Sequence, residues 1–564
     1  MNDKVYSLMA NDKWLDALKE VKSDAGPFTV DKAVIGATIA ERFGLVDEEF
    51  DLISKGLEID NRNYRLFYML GNYYLRENID MAYLCYQNAL YHSQCLGGDE
   101  NDISIIQDAL DDLRNEVTVR DVSIVILSYN TFSYTKKCIE SIRASTGDYK
   151  EIIVIDNGSV DESLQWLRMQ KDIILIENNE NLGFSKGCNQ AINASCKNND
   201  ILLLYSDTFL LDNSLFYLRL GLYGDQNNGA AGSVTILAGN DHVIEGISVD
   251  QEKYDKLLKT PCEEKPYLLE SSLIIKRSVL DEIGLFDERF TDGDFEYDDI
   301  GLRILKAKYK NVLVWNSVVC RYGSNHCSDI SEKDKKAFID KWGFNSRYFC
   351  WSRSDLVEMI DAQYDDKICV LEIGCGLGNT LSRIKYLYKN AETHGIEIVE
   401  DVVDIANIRN NVIQGDVSQM NFPYSKNYFD YILAGDVLEH LTDPEKVLNV
   451  LQDYLKPSGK FICSIPNIMN AEVIYNLLHG RFKYEDAGIL DKTHMRFFTY
   501  DSSIELFQNC GFSVEKVKAS IVKGTMTSDF SSFFDKLFEI DGVSDRGYFD
   551  AYQYLIRAKK DRQF

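Results

Sequence analysis

Only 7 of the 564 residues are proline, which leaves little room for rigid, extended linkers, so the chain is expected to be folded along its whole length. Long apolar runs are missing as well. No stretch reaches the about 18 uninterrupted apolar residues that a membrane-crossing helix needs. The opening residues, MNDKVYSLMANDKW, have neither the basic flank nor the apolar centre of a secretion signal, and a cytoplasmic protein is expected. The 13 cysteines include no C-x-x-C pair and no cysteine/histidine cluster. That argues against a disulfide framework or a zinc ribbon and reads as reduced, mostly buried thiols. Basic charge is scarce: 61 Lys and Arg stand against 89 Asp and Glu, a formal net charge of −28. A protein that mainly holds DNA or RNA needs a concentrated basic face, so nucleic acid is not an expected partner.

What is present falls into three segments, in keeping with about 150 residues per domain. Residues 1–118 carry apolar side chains at helical spacing with no strand-like alternation and read as all-helical. Leu66, Phe67, Leu70, Gly71 and Tyr74 share one helical face, and Ala82, Tyr86 and Ala89 continue on a second helix after a turn. Large against small residues suits two closely packed antiparallel helices. The pair resembles a tetratricopeptide repeat, one residue short of the usual period. A helical bundle that only packs on the next domain fits the same residues.

At Val122 the pattern changes to VSIVILSYN, an apolar run with a polar end, as in a buried parallel strand that delivers a loop to a site. EIIVIDNGS (Glu151 to Ser159), IILIENN (Ile173 to Asn179) and ILLLYSDT (Ile201 to Thr208) repeat the device. Four such ends make a binding crevice. Nucleotide-sugar chemistry needs a carboxylate base and a means of neutralising a departing pyrophosphate, commonly a divalent metal. Asp156 can accept from a nucleobase or ribose, Asp207 can bind divalent Mn or Mg, and Glu296, Asp298 and Asp299 form an acidic group ahead of the helical run LRILKAKYK.

With NENLGFSKGCNQAI (Asn179 to Ile192), IGLFDERF, FEYDDIGLR and FIDKWG, these pieces resemble a family 2 glycosyltransferase of the GT-A fold, in its rhamnosyltransferase-like branch. The resemblance covers nearly all of residues 119–352. It implies inverting transfer from a nucleoside-diphosphate sugar, with dTDP-rhamnose as leading donor, and Glu296, Asp298 or Asp299 as the base. It also carries donor binding onto Ser128, Asn130, Asp156, Asn157, Gly183, Asn189, Asp207 and Arg321. Three positions depart from the family pattern. Tyr205 stands where an Asp or Asn usually precedes the metal-motif Asp; Tyr297 interrupts the acidic run; Arg321 replaces a His ahead of Tyr-Gly-Ser. Exchanging imidazole for guanidinium removes a metal ligand and adds a charge that can hold pyrophosphate bidentately, so weak or absent metal dependence is expected.

In residues 353–564, VLEIGCGLGNT (Val370 to Thr380) places a buried strand before a glycine-rich turn that opens a helix. GIEIVED sets Glu397 at the next strand end, IQGDVSQM supplies Asp416, and FDYILAGDVLEHL supplies Asp436. The series resembles the class I S-adenosylmethionine-dependent methyltransferases. That resemblance implies cofactor contacts from Glu372, Gly374, Cys375, Gly376 and Gly378, ribose contacts from Glu397, adenine contacts near Asp416, and Asp436 facing cofactor and substrate. A nicotinamide-binding fold is the alternative. Three glycines at alternate positions, unlike G-x-G-x-x-G, and the following LKPSGKFICSIPN favour methyl transfer. AYQYLIRAKK is expected as the closing edge strand. GILDKTHMRFFT (Gly488 to Thr499) resembles the acceptor side of small-molecule and sugar methyltransferases and offers His494 as base with Asp491; His440 follows the fourth strand. Phe497 and Phe498 read as core or lid packing.

The fold expectation is therefore multidomain, a helical-repeat segment followed by two α/β domains. The function expectation is a bifunctional enzyme that adds a sugar to a glycan or glycoprotein, such as flagellin or a surface polysaccharide, and O-methylates it. The helical segment could grip a protein partner. The alternative is a methyltransferase carrying a non-catalytic, glycan- or partner-binding scaffold.

Overall fold

The computed structural model describes residues 3–24, 26–145, 147, 150–237, 262–268, 271–291, 295–322, 331–419, 421–521, 533–535, 537, 539 and 546–561. Gly323 and Ser324 of the Tyr-Gly-Ser motif lie outside them. Two units emerge, Met1–Lys341 and Trp342–Phe564. No described helix is long and apolar enough to cross a membrane. The twelve described cysteines are all free, and seven of them are buried.

The first unit begins with helices only: Asp3–Ala10, Trp14–Ser23, Val30–Arg42, Val46–Ile59, Tyr64–Tyr74, Ile79–Cys95 and Glu100–Leu113. Asn63 and Asn78 start two of them by accepting the Leu66 and Met81 amide protons. The large-against-small pairing is literal. A Cβ at Gly71 would stand 2.3 Å from the ring of Tyr86, whose hydroxyl donates to Asn72 at 2.9 Å.

Among the described residues nine strands follow: β1 Val122–Ser128, β2 Lys150–Asp156, β3 Ile173–Glu177, β4 Asp200–Tyr205, β5 Thr208–Leu210, β6 Asn228–Leu237, β7 Cys262–Lys265, β8 Ser272–Ile275 and β9 Lys310–Arg321. They form one sheet ordered β3-β2-β1-β4-β8-β6-β9-β5, with β7 added on β9. β1 to β4 pair in parallel, as the doubly buried apolar runs of β1, β2 and β4 suit, with the partly exposed β3 at the edge, and β8 turns the sheet antiparallel. This parallel half joined to a mixed half is the GT-A type of arrangement. Glu296, Asp298 and Asp299 do not precede a helix as expected. They form the first turn of Glu296–Lys306, where acidic side chains complement the helix amino terminus.

The helical segment and the sheet share one apolar core. Phe67 meets Phe216 edge-on at 5.2 Å on the helix Ser214–Tyr223. Asn213, ahead of that helix at φ 60°, accepts from Asn88 (3.1 Å), lies 2.8 Å from His92 Nε2 and donates to the Asn61 carbonyl (2.6 Å). Buried Arg219 donates to Gln87 and to the Arg120 carbonyl.

The second unit holds β10 Cys369–Ile373, β11 Glu392–Glu397, β12 Asn411–Gln414, β13 Phe429–Gly435, β14 Leu455–Pro466, β15 Phe512–Ser520 and β16 Gln553–Lys560. Their order is β12-β11-β10-β13-β14-β16-β15, parallel through β14 and then antiparallel. Strand order reverses between β10 and β13, the switch point at which doubly wound sheets bind ligands. AYQYLIRAKK is not the edge. β16 inserts between β14 and β15, which buries Tyr554, Leu555, Ile556 and Ala558, while the more polar β15 takes the edge.

Candidate active sites

In the first unit the carboxyl ends of β1 to β4 bring most of the expected donor-binding residues together. The β1 end is buried Ser128, bonded to Thr135; Asn130, at φ 53°, accepts from the Val160 amide with its side chain and donates its own amide to the Ser159 hydroxyl. At the β2 end, Asp156 accepts from the Ser159 amide with one oxygen, while the other is buried without a hydrogen-bond partner. That orphaned acceptor suits a nucleobase N–H or a ribose hydroxyl. Asn157 spans to Asn181, Gly183, Asn178 and Leu182, tying the second and third loops. Gly183, at φ 82°, starts the helix Phe184–Ala194 with Thr291 O 2.8 Å from where a Cβ would stand. Asn189 faces the chain instead of the crevice, clamping Phe286 by two bonds and Glu288 by a third.

The three departures from the family pattern meet in space. Tyr205 and Tyr297 meet edge-on at 6.0 Å within a cluster with Phe184 and Phe286. Burial pushes the Tyr205 hydroxyl up to about 12, against the Tyr297 hydrogen bond and the Arg321 charge. Arg321 lies over the Tyr205 ring at 4.7 Å and binds both Asp207 oxygens at 3.0 and 3.2 Å. β5 and β9 set this contact, since Thr208 pairs with Arg321. Sequence reading named Tyr205 and Arg321 separately; that Tyr297 completes the set was legible only as an interruption of the acidic run. Of the acidic group, Asp299 is held by Arg303 (2.9 Å) and Lys341 (2.5 Å), Glu296 accepts the Phe295 amide, and Asp298 is fully buried.

In the second unit, Gly374, Gly376 and Gly378 all have positive φ, and each added Cβ would collide: with Val437 at 2.9 Å, Phe349 O at 2.7 Å and Asn410 at 2.4 Å. The backbone cradle that results can lie against a cofactor. Glu397, at the β11 end, accepts from the amides of Gly376, Ile398 and Val399, so both oxygens are oriented. Buried Cys375 packs with Leu381, Val403, Ala406 and Val412 as core. Glu372 keeps one buried oxygen unpartnered; burial pushes its carboxyl up to about 8 against the Thr380 hydrogen bond and the Arg353 charge. A sulfonium cofactor with its ammonium group fits such a cradle and carboxyl pair. Asp416 is turned onto its own loop, bonded to Ser418 and Gln419, and the Ser418 bonds hold it below the usual carboxylate range.

Asp436, at φ 53° after β13, is fixed by Arg353 (2.5 Å) and Ser464 (2.6 Å). Nearby, His440 and His494 pack edge-on at 4.7 Å. Asp491 accepts twice from Thr493; burial raises its carboxyl, but those bonds and the two histidines hold it low. Glu439, which sequence reading passed over although it adjoins His440, is buried with neither carboxylate oxygen hydrogen-bonded, and burial pushes its pKa well above the usual range. Phe498 is core, whereas Phe497 stands exposed near His494 with Tyr484.

Comparison with known proteins agrees with this division. Residues 123–284 match the glycosyl transferase family 2 profile, and residues 345–517 match a methyltransferase domain profile. Over 197 residues the chain is 24% identical to demethylmenaquinone methyltransferase of Geobacillus sp. (strain WCH70), which is 31% of this chain and 81% of that protein. It is 25% identical over 189 residues to phosphoethanolamine N-methyltransferase of Plasmodium falciparum, 32% and 63% of the two lengths. A crystal structure of GalNAc-T7 with UDP, GalNAc and Mn2+ aligns over 43% of this chain and 52% of that one, with 16% identity and a TM-score of 0.34. The chain thus joins a family 2 glycosyltransferase domain, served by a nucleotide-sugar donor, to a methyltransferase domain that takes S-adenosylmethionine.

Proposed function

We propose that the chain transfers a deoxyhexose, with dTDP-rhamnose as leading donor, to a glycan or glycoprotein and then O-methylates the added sugar. Flagellin and surface polysaccharide are the acceptors of first choice. The boundaries that go with this reading are a helical segment to residue 118, a transferase to 352 and a methyltransferase beyond. Tethering raises the concentration of the first product at the second site. The helical segment is the surface for a protein acceptor.

The observation that carries the transferase half is the set Tyr205, Asp207 and Arg321. Asp207 has its charge matched by Arg321, and the neighbouring ligand position is a phenol, so the residues do not make a divalent-metal site. Arg321 supplies the cation instead, neutralising the pyrophosphate as the acceptor oxygen attacks the anomeric carbon and the bond to the nucleoside diphosphate breaks. Asp298, in the first turn of Glu296–Lys306, takes the acceptor proton. In the second domain S-adenosylmethionine supplies an activated methyl group. Glu397 orients its ribose, the three glycines admit its methionine portion, and His494 with Asp491 faces the acceptor.

The test is nucleoside-diphosphate release from a panel of sugar nucleotides by the whole chain in excess chelator. Release with one donor, abolished by Asp298→Asn, supports the reading. A second reading has one observation in its favour: an Asp207 already neutralised also suits a glycan-binding scaffold. Release with no donor, with or without manganese, would favour that reading.

A further inference from the structure

We propose that Glu439, His440 and His494 form a divalent transition-metal site on the acceptor side of the methyltransferase domain. Each residue offers one ligand atom, and the three atoms lie within 4.8 Å of one another. Glu439 is 1% exposed and has no hydrogen bond to either carboxylate oxygen. A buried carboxylate in that state is costly unless a cation or a proton neutralises it.

The histidines are oriented as metal ligands are. His440 Nδ1 lies 3.3 Å from the Thr493 carbonyl and 3.1 Å from its hydroxyl; His494 Nδ1 lies 3.0 Å from the Ile489 carbonyl. A carbonyl oxygen only accepts, so each Nδ1 carries the proton and each Nε2 presents its lone pair. The scaffold is fixed too. Glu439 and His440 share the short turn Leu438–His440 after β13, and the Glu439 carbonyl accepts from the amides of Met495 and Arg496 at 2.8 and 3.0 Å. That clamp holds the loop carrying His494 against the turn carrying the other two. Two imidazoles and one carboxylate suit zinc, manganese, iron or cobalt better than magnesium or calcium.

Three protein ligands leave coordination positions open for an acceptor hydroxyl. A bound cation acidifies that hydroxyl, whose proton passes to solvent water. The oxygen then attacks the cofactor methyl, the carbon–sulfur bond breaks, and S-adenosylhomocysteine leaves. On this assignment His440 and His494 are ligands and neither is the base. The inference rests on the methyltransferase reading, so the experiment reads cation and cofactor binding separately.

The whole chain, stripped with chelator, is titrated with cobalt(II) and zinc(II) by absorption and calorimetry, in parallel with S-adenosylhomocysteine. One cobalt per chain with visible d–d bands is expected, displaced by zinc. Glu439→Gln, His440→Gln and His494→Gln should each weaken uptake about 10- to 100-fold while S-adenosylhomocysteine still binds. His394→Ala, in the other cluster of ligating side chains with Cys369 and Glu392, should leave uptake unchanged, as should Asp207→Asn. S-adenosylhomocysteine binding without cobalt uptake, or uptake insensitive to His494→Gln and His440→Gln, overturns the site. Failure of S-adenosylhomocysteine to bind the wild type would instead overturn the methyltransferase reading beneath it.

Discussion

Asn213→Leu should cost the first unit about 3 to 8 kcal/mol. Asn213 is 4% exposed and sits at φ 60°, where a leucine pays about 1–2 kcal/mol for its backbone alone. Its side chain satisfies Asn88 and His92, themselves 3% and 5% exposed. Leucine would orphan both, at about 1–3 kcal/mol each. The lost bond to the Asn61 carbonyl adds little, because Asn61 is exposed and water can replace it. Against a typical stability of about 5–15 kcal/mol, such a loss leaves the unit marginal. Asn213→Gly relieves the backbone and admits water, so it should cost well under half as much. The assay is urea unfolding of the whole chain, with S-adenosylhomocysteine binding as the readout for the second unit, which should not change. An Asn213→Leu variant within 1 kcal/mol of wild type would refute the claim that this residue fastens the helices to the sheet.

Glu397→Ala should weaken S-adenosylhomocysteine binding by about 100-fold, since two charge-assisted bonds to ribose hydroxyls are lost; calorimetry measures it, and an unchanged affinity would remove Glu397 from the site. Glu372→Gln should stabilise the cofactor-free chain increasingly above pH 5. The native carboxyl, raised to about 8, binds a proton that the unfolded one releases near 4.5, so wild-type stability falls between those values and the variant's does not. Melting temperatures across that range decide it. Arg321→His should cut sugar transfer by about 100-fold and make the remainder manganese-responsive; unchanged turnover and no metal response would dismiss the internal cation.

How much of this was legible beforehand depended on whether the signal was local. VLEIGCGLGNT dictated its own geometry, because only glycine tolerates the positive φ and close approach at Gly374, Gly376 and Gly378. The strands β1 to β4 announced themselves as apolar runs with polar ends, and they do lie side by side in parallel. The place of β16 was not legible, since a strand's neighbours follow from chain return paths and not from its own residues. The meeting of Tyr205, Tyr297 and Arg321 likewise depends on pairing between strands distant in sequence. Glu439 escaped because a glutamate beside a histidine reads as a solvated side chain until its burial is seen.

The shared core of helices and sheet also bears on how the protein is made. The seven helices leave the ribosome before Ser214–Tyr223, the helix that covers Phe67 with Phe216, has been synthesised. At about 5–20 residues per second the nascent helices wait about 5 to 20 s with that face uncovered. During that interval the newborn chain presents an apolar surface to chaperones and to its neighbours on the same message, and any slowing of translation between the helices and that partner lengthens the exposure.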